Sequence, residues 1–348
     1  MVRILVTGFE PFGEHVGNIS KDIVNALPSK IRLNDPWSDL RQTKEESFEA
    51  IIETRVLSVD EAGSLEIATA VQKGEDWDAI LHLGLCESCQ IPRIETLAQD
   101  HIHMKIPDNK GRQILEQTLS GHGNIPVSLP VGTWNSPAWP IECEISQDAG
   151  SFLCNETFYR TLSALTVTSN GGGHMTPCLF LHLPSAENCT LSTALELVHE
   201  ILPRMMFRPV LSVVGALMTQ TEHYLVAQRS SSEMHSGKWE FPGGKVEPNE
   251  THSAALEREI HEEFGWQVEC SAAVGTWYHA LEKFDIALHI LPTTFIGSSP
   301  NFEDKGLWTA HDDICWRHLS DDSPLDWLGN DAAVVQWMRD TKYLTRAK

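Results

Sequence analysis

Phe241-Pro-Gly-Gly-Lys-Val-Glu-Pro-Asn-Glu250 is followed, after seven residues, by Arg258-Glu-Ile-His-Glu-Glu-Phe-Gly-Trp266. Glu259, Glu262 and Glu263 stand at i, i+3 and i+4, so a helix carries the three carboxylates on one face. Ala255, Leu256, Ile260 and Phe264 form a second stripe, apolar and suited to a sheet. The spacing predicts a helix over His252–Phe264. Carboxylates crowded on one face repel, and a hard cation offsets that repulsion; magnesium suits oxygen ligands, with manganese as the alternative. Such an ion neutralises a pyrophosphate and activates a water for attack at phosphorus. Phe241-Pro-Gly-Gly244 allows a tight turn and close backbone approach. A solvated acidic face would need only the glutamates. The glycines, Glu250, Arg258 and Gly265 falling into the same pattern favour the metal reading.

Around this stretch, Val210–Met218, Tyr224–Gln228 and Ala287–Phe295 read as strands, and Ala332–Asp340 as a last helix. Toward the N-terminus the pattern alternates. Arg3–Thr7, Ile51–Val59, Ala79–Leu85 and Cys178–Leu183 read as strands, with helical spacing over Phe152–Leu165 and Leu191–Leu202. Alternation of this kind indicates an α/β layered domain. The stretches Asn34–Thr43, Gly121–Pro140 and Ser169–Pro177, the last with Gly171-Gly172-Gly173, read as loops. A chain of 348 residues suits two domains. Pro203-Arg-Met-Met-Phe-Arg-Pro209 separates two patterns, giving domains of 1–206 and 207–348.

The formal net charge is −22, and both parts are acidic, which argues against a nucleic-acid polymer as partner. A small anionic substrate stays compatible, because a bound metal reverses the local field. No apolar run reaches the ~20 residues that span a bilayer. Met1–Phe9 reads as a buried first strand rather than a signal peptide, so the expected location is the cytoplasm, without membrane association. The eight cysteines are then expected as free thiols. Cys86-Glu-Ser-Cys89 has metal-ligand spacing, but with no second pair it reads as an ordinary loop.

Cys154 follows Gly150 and falls at the start of the helix around Phe152. A thiol in a first helical turn feels the positive end of the dipole, which lowers its pKa and makes it a better nucleophile. His182 lies at the end of an apolar strand, where α/β sheets present reactive groups, and could act as base and proton donor. Glu95 follows the Ala79–Leu85 strand and could orient that imidazole. Taken singly, each has a plainer reading, as buried filler or a structural strand-end residue.

The stretch from Gly244 to Trp266 resembles the Nudix box at every defined position, and the likeness runs from about Arg208 to the C-terminus. The resemblance implies an α/β/α sandwich with Glu259, Glu262, Glu263 and the Gly243 carbonyl as metal ligands. It also implies that Glu262 is the base and that Gly244, Lys245, Glu250 and Arg258 support the loop. Trp239-Glu-Phe-Pro-Gly-Gly-Lys245 and the tail Trp316…Leu325-Asp-Trp327…Asp331-Ala-Ala-Val-Val335 resemble the branch that cleaves nucleoside triphosphates, oxidised guanine nucleotides included. That branch often carries an extra glutamate shortly before the equivalent of Trp316. Here Ala310-His311-Asp312-Asp313 offers His311 or Asp312 instead.

Residues 1–206 resemble the pyroglutamyl peptidase I family. The likeness rests on Thr7-Gly-Phe-Glu-Pro-Phe-Gly13, Asn18-Ile-Ser20, Glu95, Ile106-Pro-Asp-Asn-Lys-Gly111, Ala149-Gly-Ser-Phe-Leu-Cys-Asn155 and Leu181-His-Leu-Pro184. The resemblance implies an open-sheet α/β/α domain whose Cys154, His182 and Glu95 remove N-terminal pyroglutamate from short peptides. It implies Phe9, Phe12, Asn18, Ile106, Phe152 and Leu153 as substrate-binding residues. An apolar wall with a few amide contacts suits a small uncharged ring. Thr96, Asp100 and Lys105 depart from the arginine, asparagine and arginine usual there. The expected whole is a two-site hydrolase acting on peptides and small nucleotides, with homo-oligomer formation left open. The alternative is one working Nudix site beside a degenerate module for binding or oligomerisation.

Overall fold

The computed structural model describes residues 1–13, 15–42, 47–134, 139–169 and 175–346. The chain divides into two compact units, Met1–Ser38 with Glu45–Arg208, and Asp39–Lys44 with Pro209–Lys348.

The first unit runs β1 (Val2–Phe9), α1 (Ile19–Ala26), β2 (Lys30–Asn34), β3 (Ser47–Leu57), α2 (Glu61–Gln72), β4 (Ala79–Leu85), β5 (Arg93–Glu95), β6 (Leu97–Ala98), β7 (Ile125–Pro126), β8 (Glu144–Ser146), α3 (Leu153–Ser169), β9 (Cys178–Leu183) and α4 (Leu191–Met206). Its main sheet has the order β2-β3-β1-β4-β9-β5-β8. The central strands β3, β1, β4 and β9 are parallel, and β5 runs antiparallel to β9. β4 and β9 are buried along almost their whole length, as their largely apolar runs require of strands covered on both faces. Within β4 the buried His82 sits between the Thr7 Oγ1 at 2.7 Å and the Thr161 Oγ1 at 3.1 Å. Burial lowers its pKa to about 3, so the ring stays neutral. On one face Ile67 and Val71 of α2 and Phe158 and Leu162 of α3 pack with Leu5, Ile80 and Phe180. α1 and α4 pack with each other, α1 also against β1, β3 and β4, and α4 against β2 and β4.

The helix α2 has no clear counterpart in the hydrophobic pattern. Its buried residues include Gly63, Ser64, Ala68 and Ala70, small groups that leave only a faint period. Gly63 is required by contact, since a Cβ there would overlap the Ser58 carbonyl oxygen.

The second unit runs β10 (Val210–Gln220), β11 (His223–Arg229), β12 (Trp239–Glu240), β13 (Gly243–Lys245), α5 (His252–Phe264), β14 (Val268–Cys270), β15 (Gly275–Ala280), β16 (Asp285–Phe295), β17 (His311–His318), α6 (Asp331–Thr341) and α7 (Tyr343–Arg346). Its sheet follows β12-β11-β10-β16-β14, with β13 on β10, β15 on β16 and β17 on β11. β10 and β16 pair in parallel from Val210↔Asp285 to Met218↔Thr293. Strand alternation divides the core. Val214, Ala216 and Met218 meet Ala255, Leu256, Ile260 and Phe264 of α5. Leu217, Tyr224 and Ile290 meet Val334, Val335 and Met338 of α6. Both units are therefore α/β layered.

One sequence expectation fails. Cys86 and Cys89 are joined in a disulfide, not free thiols in an ordinary loop. The turn after β4 brings their Cα atoms to 5.4 Å, within bonding range. The other six cysteines are free. Gly171-Gly172-Gly173 and Thr43 lie outside the described residues. Among the described residues no helix is long and apolar enough to cross a membrane.

Candidate functional site

In the first unit β9 carries His182, and the antiparallel register of β5 sets Arg93 opposite it and Glu95 opposite Phe180. Glu95 is fully buried, and its Oε1 lies 2.8 Å from His182 Nδ1. Cys154 is the second residue of α3. Burial works against a charged imidazole, but the influence of Cys154 and Glu95 outweighs it and pushes His182 up to about 9. The close fit depends on Gly84 of β4. A Cβ there would lie 2.8 Å from the Phe180 ring and 3.1 Å from Cys154 Sγ.

The residues expected to bind substrate differ in burial and in partners. Phe12 and Phe152 meet at 5.1 Å between ring centroids, and both are partly buried, as is Cys154. Phe9 and Leu153 are buried members of the core cluster against which they pack. Ile106 is 53% exposed. Asn18 has its amide engaged within the chain: Oδ1 accepts from Ser20 N and Oγ, and Nδ2 donates to the Glu10 carbonyl. Its observed contacts therefore cap α1 and hold the loop after β1.

Several supporting residues were missed in the sequence. Arg112 is bonded to Asp108 and to Glu156, two residues after Cys154, while Asn109 reaches the Pro11 carbonyl. Asn155 pins the backbone of Gln99 and His101. The signal available was the run of Asp, Asn and Gly around residue 108, whose side chains bond locally. Asp100 holds a loop together, its carboxylate accepting from Ser120 N at 2.7 Å and Gly123 N at 2.8 Å. Burial favours its neutral form, yet these backbone bonds hold its pKa below the usual range. Thr96 Oγ1 donates to the Ser146 carbonyl, and Lys105 offers its carbonyl to Gln113.

In the second unit α5 is capped by Thr251, whose side chain accepts from Ala254 N, and by Gly265 with φ 70°. β13 hangs on β10, with Gly243 opposite Gly215. A Cβ on Gly243 would overlap the Val214 carbonyl, and one on Gly244 would overlap the Glu259 carboxylate. Arg258 forks onto Glu250 at 2.9 and 3.0 Å and donates to the Lys245 carbonyl at 3.0 Å. This bond to Arg258 lowers the pKa of Glu250. Arg258 Nη1 also stands 3.1 Å from Glu259 and 3.2 Å from Glu262. Glu262 is half exposed, whereas Glu263 is mostly buried.

Glu240 was not foreseen, although an acid between Trp239 and Phe241 is an unusual interruption. It accepts from Arg229 at 2.8 Å and faces His311 Nε2 at 3.0 Å. His311 Nδ1 lies 3.6 Å from Glu263 Oε2. Asp312 instead accepts from Ser231 N. His311 is therefore the one of the two that faces the acidic site.

These acids suit a hard divalent cation in their chemistry. Burial, then the charges of Glu240 and Glu259, push the Glu263 carboxyl up to about 8. Its Oε2 is buried without a hydrogen-bond partner among the described residues. Burial also raises Glu259, against the pull of Arg258. A divalent ion would offset that surplus of negative charge. Among the described residues no three side chains already converge as a finished cation cage.

A model of the pyroglutamyl peptidase family matches residues 2–206, and a model of the NUDIX domain matches residues 208–338. The chain is similar to a pyrrolidone-carboxylate peptidase of Clavibacter michiganensis subsp. michiganensis, 26% identical over 199 residues, covering 56% of this chain and 83% of that protein. It is also similar to a putative 8-oxo-dGTP diphosphatase 2 of Mycobacterium tuberculosis, 35% identical over 134 residues, covering 37% of this chain and 85% of that protein. The pyrrolidone carboxyl peptidase structure of Pyrococcus furiosus matches at 24% identity and a TM-score of 0.49, covering 59% of this chain and 98% of that one. The chain is a hydrolase that belongs to the pyroglutamyl peptidase family through residues 2–206 and carries a NUDIX domain over residues 208–338.

Proposed function

We propose that the chain is a two-site hydrolase, a cysteine exopeptidase for N-terminal pyroglutamate and a metal-dependent pyrophosphohydrolase for nucleoside triphosphates. The observation that carries the first activity is the 2.8 Å contact of buried Glu95 with His182, an imidazole whose pKa is raised by Cys154 in the first turn of α3 and by Glu95. A raised His182 pKa favours an imidazolium beside a thiolate. The thiolate attacks the pyroglutamyl carbonyl and forms a tetrahedral oxyanion. Backbone N–H groups in the first turn of α3 lack intrahelical partners and suit that charge. His182 then gives its proton to the leaving amine, and an acyl-enzyme remains. The neutral ring next takes a proton from water, which attacks the thioester and frees Cys154. Glu95 holds the imidazole in position throughout. Phe12 and Phe152 supply an apolar wall for the ring of the substrate.

For the second activity, Glu259, Glu262, Glu263 and the Gly243 carbonyl would hold magnesium or manganese. That ion would supply charge neutralisation at the pyrophosphate and an activated water. Glu262, the most exposed of the three acids, would take the proton of that water. Arg258 and Glu250 brace the loop through Lys245. Oxidised guanine nucleotides are the preferred class within this reading, supported by the mycobacterial relative and the tryptophan-flanked motifs.

Two assays on the full chain test the proposal. Release of a pyroglutamyl-coumarin amide reads the first site. Magnesium-dependent pyrophosphate release from 8-oxo-dGTP, dGTP and CTP reads the second. No turnover of the coumarin amide by protein with a free Cys154 thiol rejects the peptidase. Hydrolysis that is indifferent to magnesium and manganese rejects the metal site, and equal rates on all three nucleotides reject the preference.

A further inference from the structure

We propose that Cys86 and Cys89 form a reversible thiol–disulfide site whose state sets the geometry of the peptidase triad, an inference that rests on the peptidase reading above. The bond lies in the short connection between the two strands that frame the triad. On one side, β4 ends at Leu85, and Gly84 just before it packs against Cys154. Cys86 N still donates to the Leu183 carbonyl at 2.8 Å, one step past His182. On the other side, β5 opens at Arg93, opposite His182, and carries Glu95. A change in the turn between Cys86 and Cys89 therefore acts on both strands.

The same turn is tied to its neighbours. Glu87 pairs with His15 in the loop after β1, and Asn188 in the loop after β9 donates to Gln90 at 3.3 Å. With the disulfide closed, a covalent staple holds a loop on which the strand ends converge. Opening it restores freedom to the connection. The triad depends on a 2.8 Å bond from Glu95, and small displacements of such groups are costly in rate.

The exchange balances without any group beyond a dithiol reductant. One thiolate of the reductant attacks the Sγ of Cys86, the more exposed residue of the pair. The disulfide breaks, and Cys89 leaves as a thiolate that takes up a proton. The second thiol of the reductant attacks the mixed disulfide and releases Cys86 as a thiol. Two electrons enter the protein, and the reductant departs as its own disulfide. A small disulfide oxidant reverses the sequence. Burial pushes Cys143 up to about 12 and raises Cys178 as well, so these two compete poorly, and Cys154 is followed separately in the test.

The test equilibrates the full chain across ratios of reduced to oxidised dithiol. Thiols are then trapped by alkylation, and the Cys86–Cys89 and Cys154 peptides are read separately by mass spectrometry. The pair is expected to pass from disulfide to dithiol while Cys154 remains a thiol. In parallel, kcat for the coumarin amide falls about tenfold with KM nearly unchanged. Cys86→Ser/Cys89→Ser is expected to be locked at the lower rate. The single variant Cys86→Ser should match it, which guards against a double variant that folds poorly. Equal kcat with the pair trapped in both states overturns the proposal, as does a pair that never changes state. The same redox response in Cys86→Ser/Cys89→Ser also overturns it, since Cys154 alone would then be responsible. If no state turns over substrate, the peptidase reading fails, and the NMR signals of the His182 imidazole decide the switch. A shift between oxidised and reduced protein supports it, and superimposable signals reject it.

Discussion

The candidate peptidase site draws Glu95, Cys154 and His182 from a short strand, a helix start and a central strand. The candidate metal site lies almost wholly within one stretch, from Gly243 to Glu263. The two also differ in charge. In the first, the imidazole stands between a carboxylate and a thiol, and its raised pKa reflects charges that balance inside the protein. In the second, Glu259 and Glu263 both have raised pKa values, and Arg258 is shared with the bracing Glu250. The contrast teaches that a dispersed site can be electrically complete from its own residues, whereas a compact acidic one calls for a cation.

The largest expected effect belongs to Cys154→Ala, which should lower pyroglutamyl amide release by about 10^5-fold and leave nucleotide cleavage intact. Loss of both activities would show that the sites are not independent. Glu95→Gln should cost about 10^3- to 10^4-fold in kcat, by analogy with the orienting acid of a triad. It should also bring the alkaline limb of the rate down from near pH 9. Stability depends on the same imidazole. His182 rises from an ordinary 6.5 to about 9, so its contribution is complete below pH 6.5 and is lost as pH rises through 9. An alkaline limb unmoved by Glu95→Gln would break the account of charge balance.

Glu262→Gln should slow magnesium-dependent nucleotide hydrolysis by about 10^2- to 10^3-fold without touching the peptidase. A variant as fast as the parent would remove Glu262 from its assigned role. Arg258→Lys gives up the fork onto Glu250 and should weaken manganese binding, followed by electron paramagnetic resonance, by about tenfold. Unchanged affinity would mean that the brace is dispensable. The smallest effect is expected for Asp100→Asn, about 1–2 kcal/mol in urea unfolding, because an amide loses the charge-assisted bonds to Ser120 and Gly123. A gain in stability would show that the departure at Asp100 is neutral drift.

Much of the scaffold was legible in the sequence. Ala79–Leu85, Cys178–Leu183 and His252–Phe264 appear with the bounds expected from their hydrophobic patterns. The buried stripe of α5 is the one read from spacing. Short strands such as β5 and β8, three residues each, carry too little pattern to be seen. Among site residues, Glu240 was hidden because its sequence neighbours Trp239 and Phe241 signal only burial, and its importance arises from Arg229 on the neighbouring strand and His311 far along the chain. Arg112 and Glu156 were hidden for the same reason.

The sequence by itself determined the periodic elements and the spacing of Glu259, Glu262 and Glu263, because helical geometry converts three and four residues into one face. Tertiary structure alone decided that Glu95 meets His182, through a register between antiparallel strands that no local pattern encodes. It also decided that His311 rather than Asp312 faces Glu263, and that Cys86 and Cys89 bond. Those outcomes depend on which side chains the packed sheets and turns bring within a few ångströms, a distance that separation along the chain does not measure.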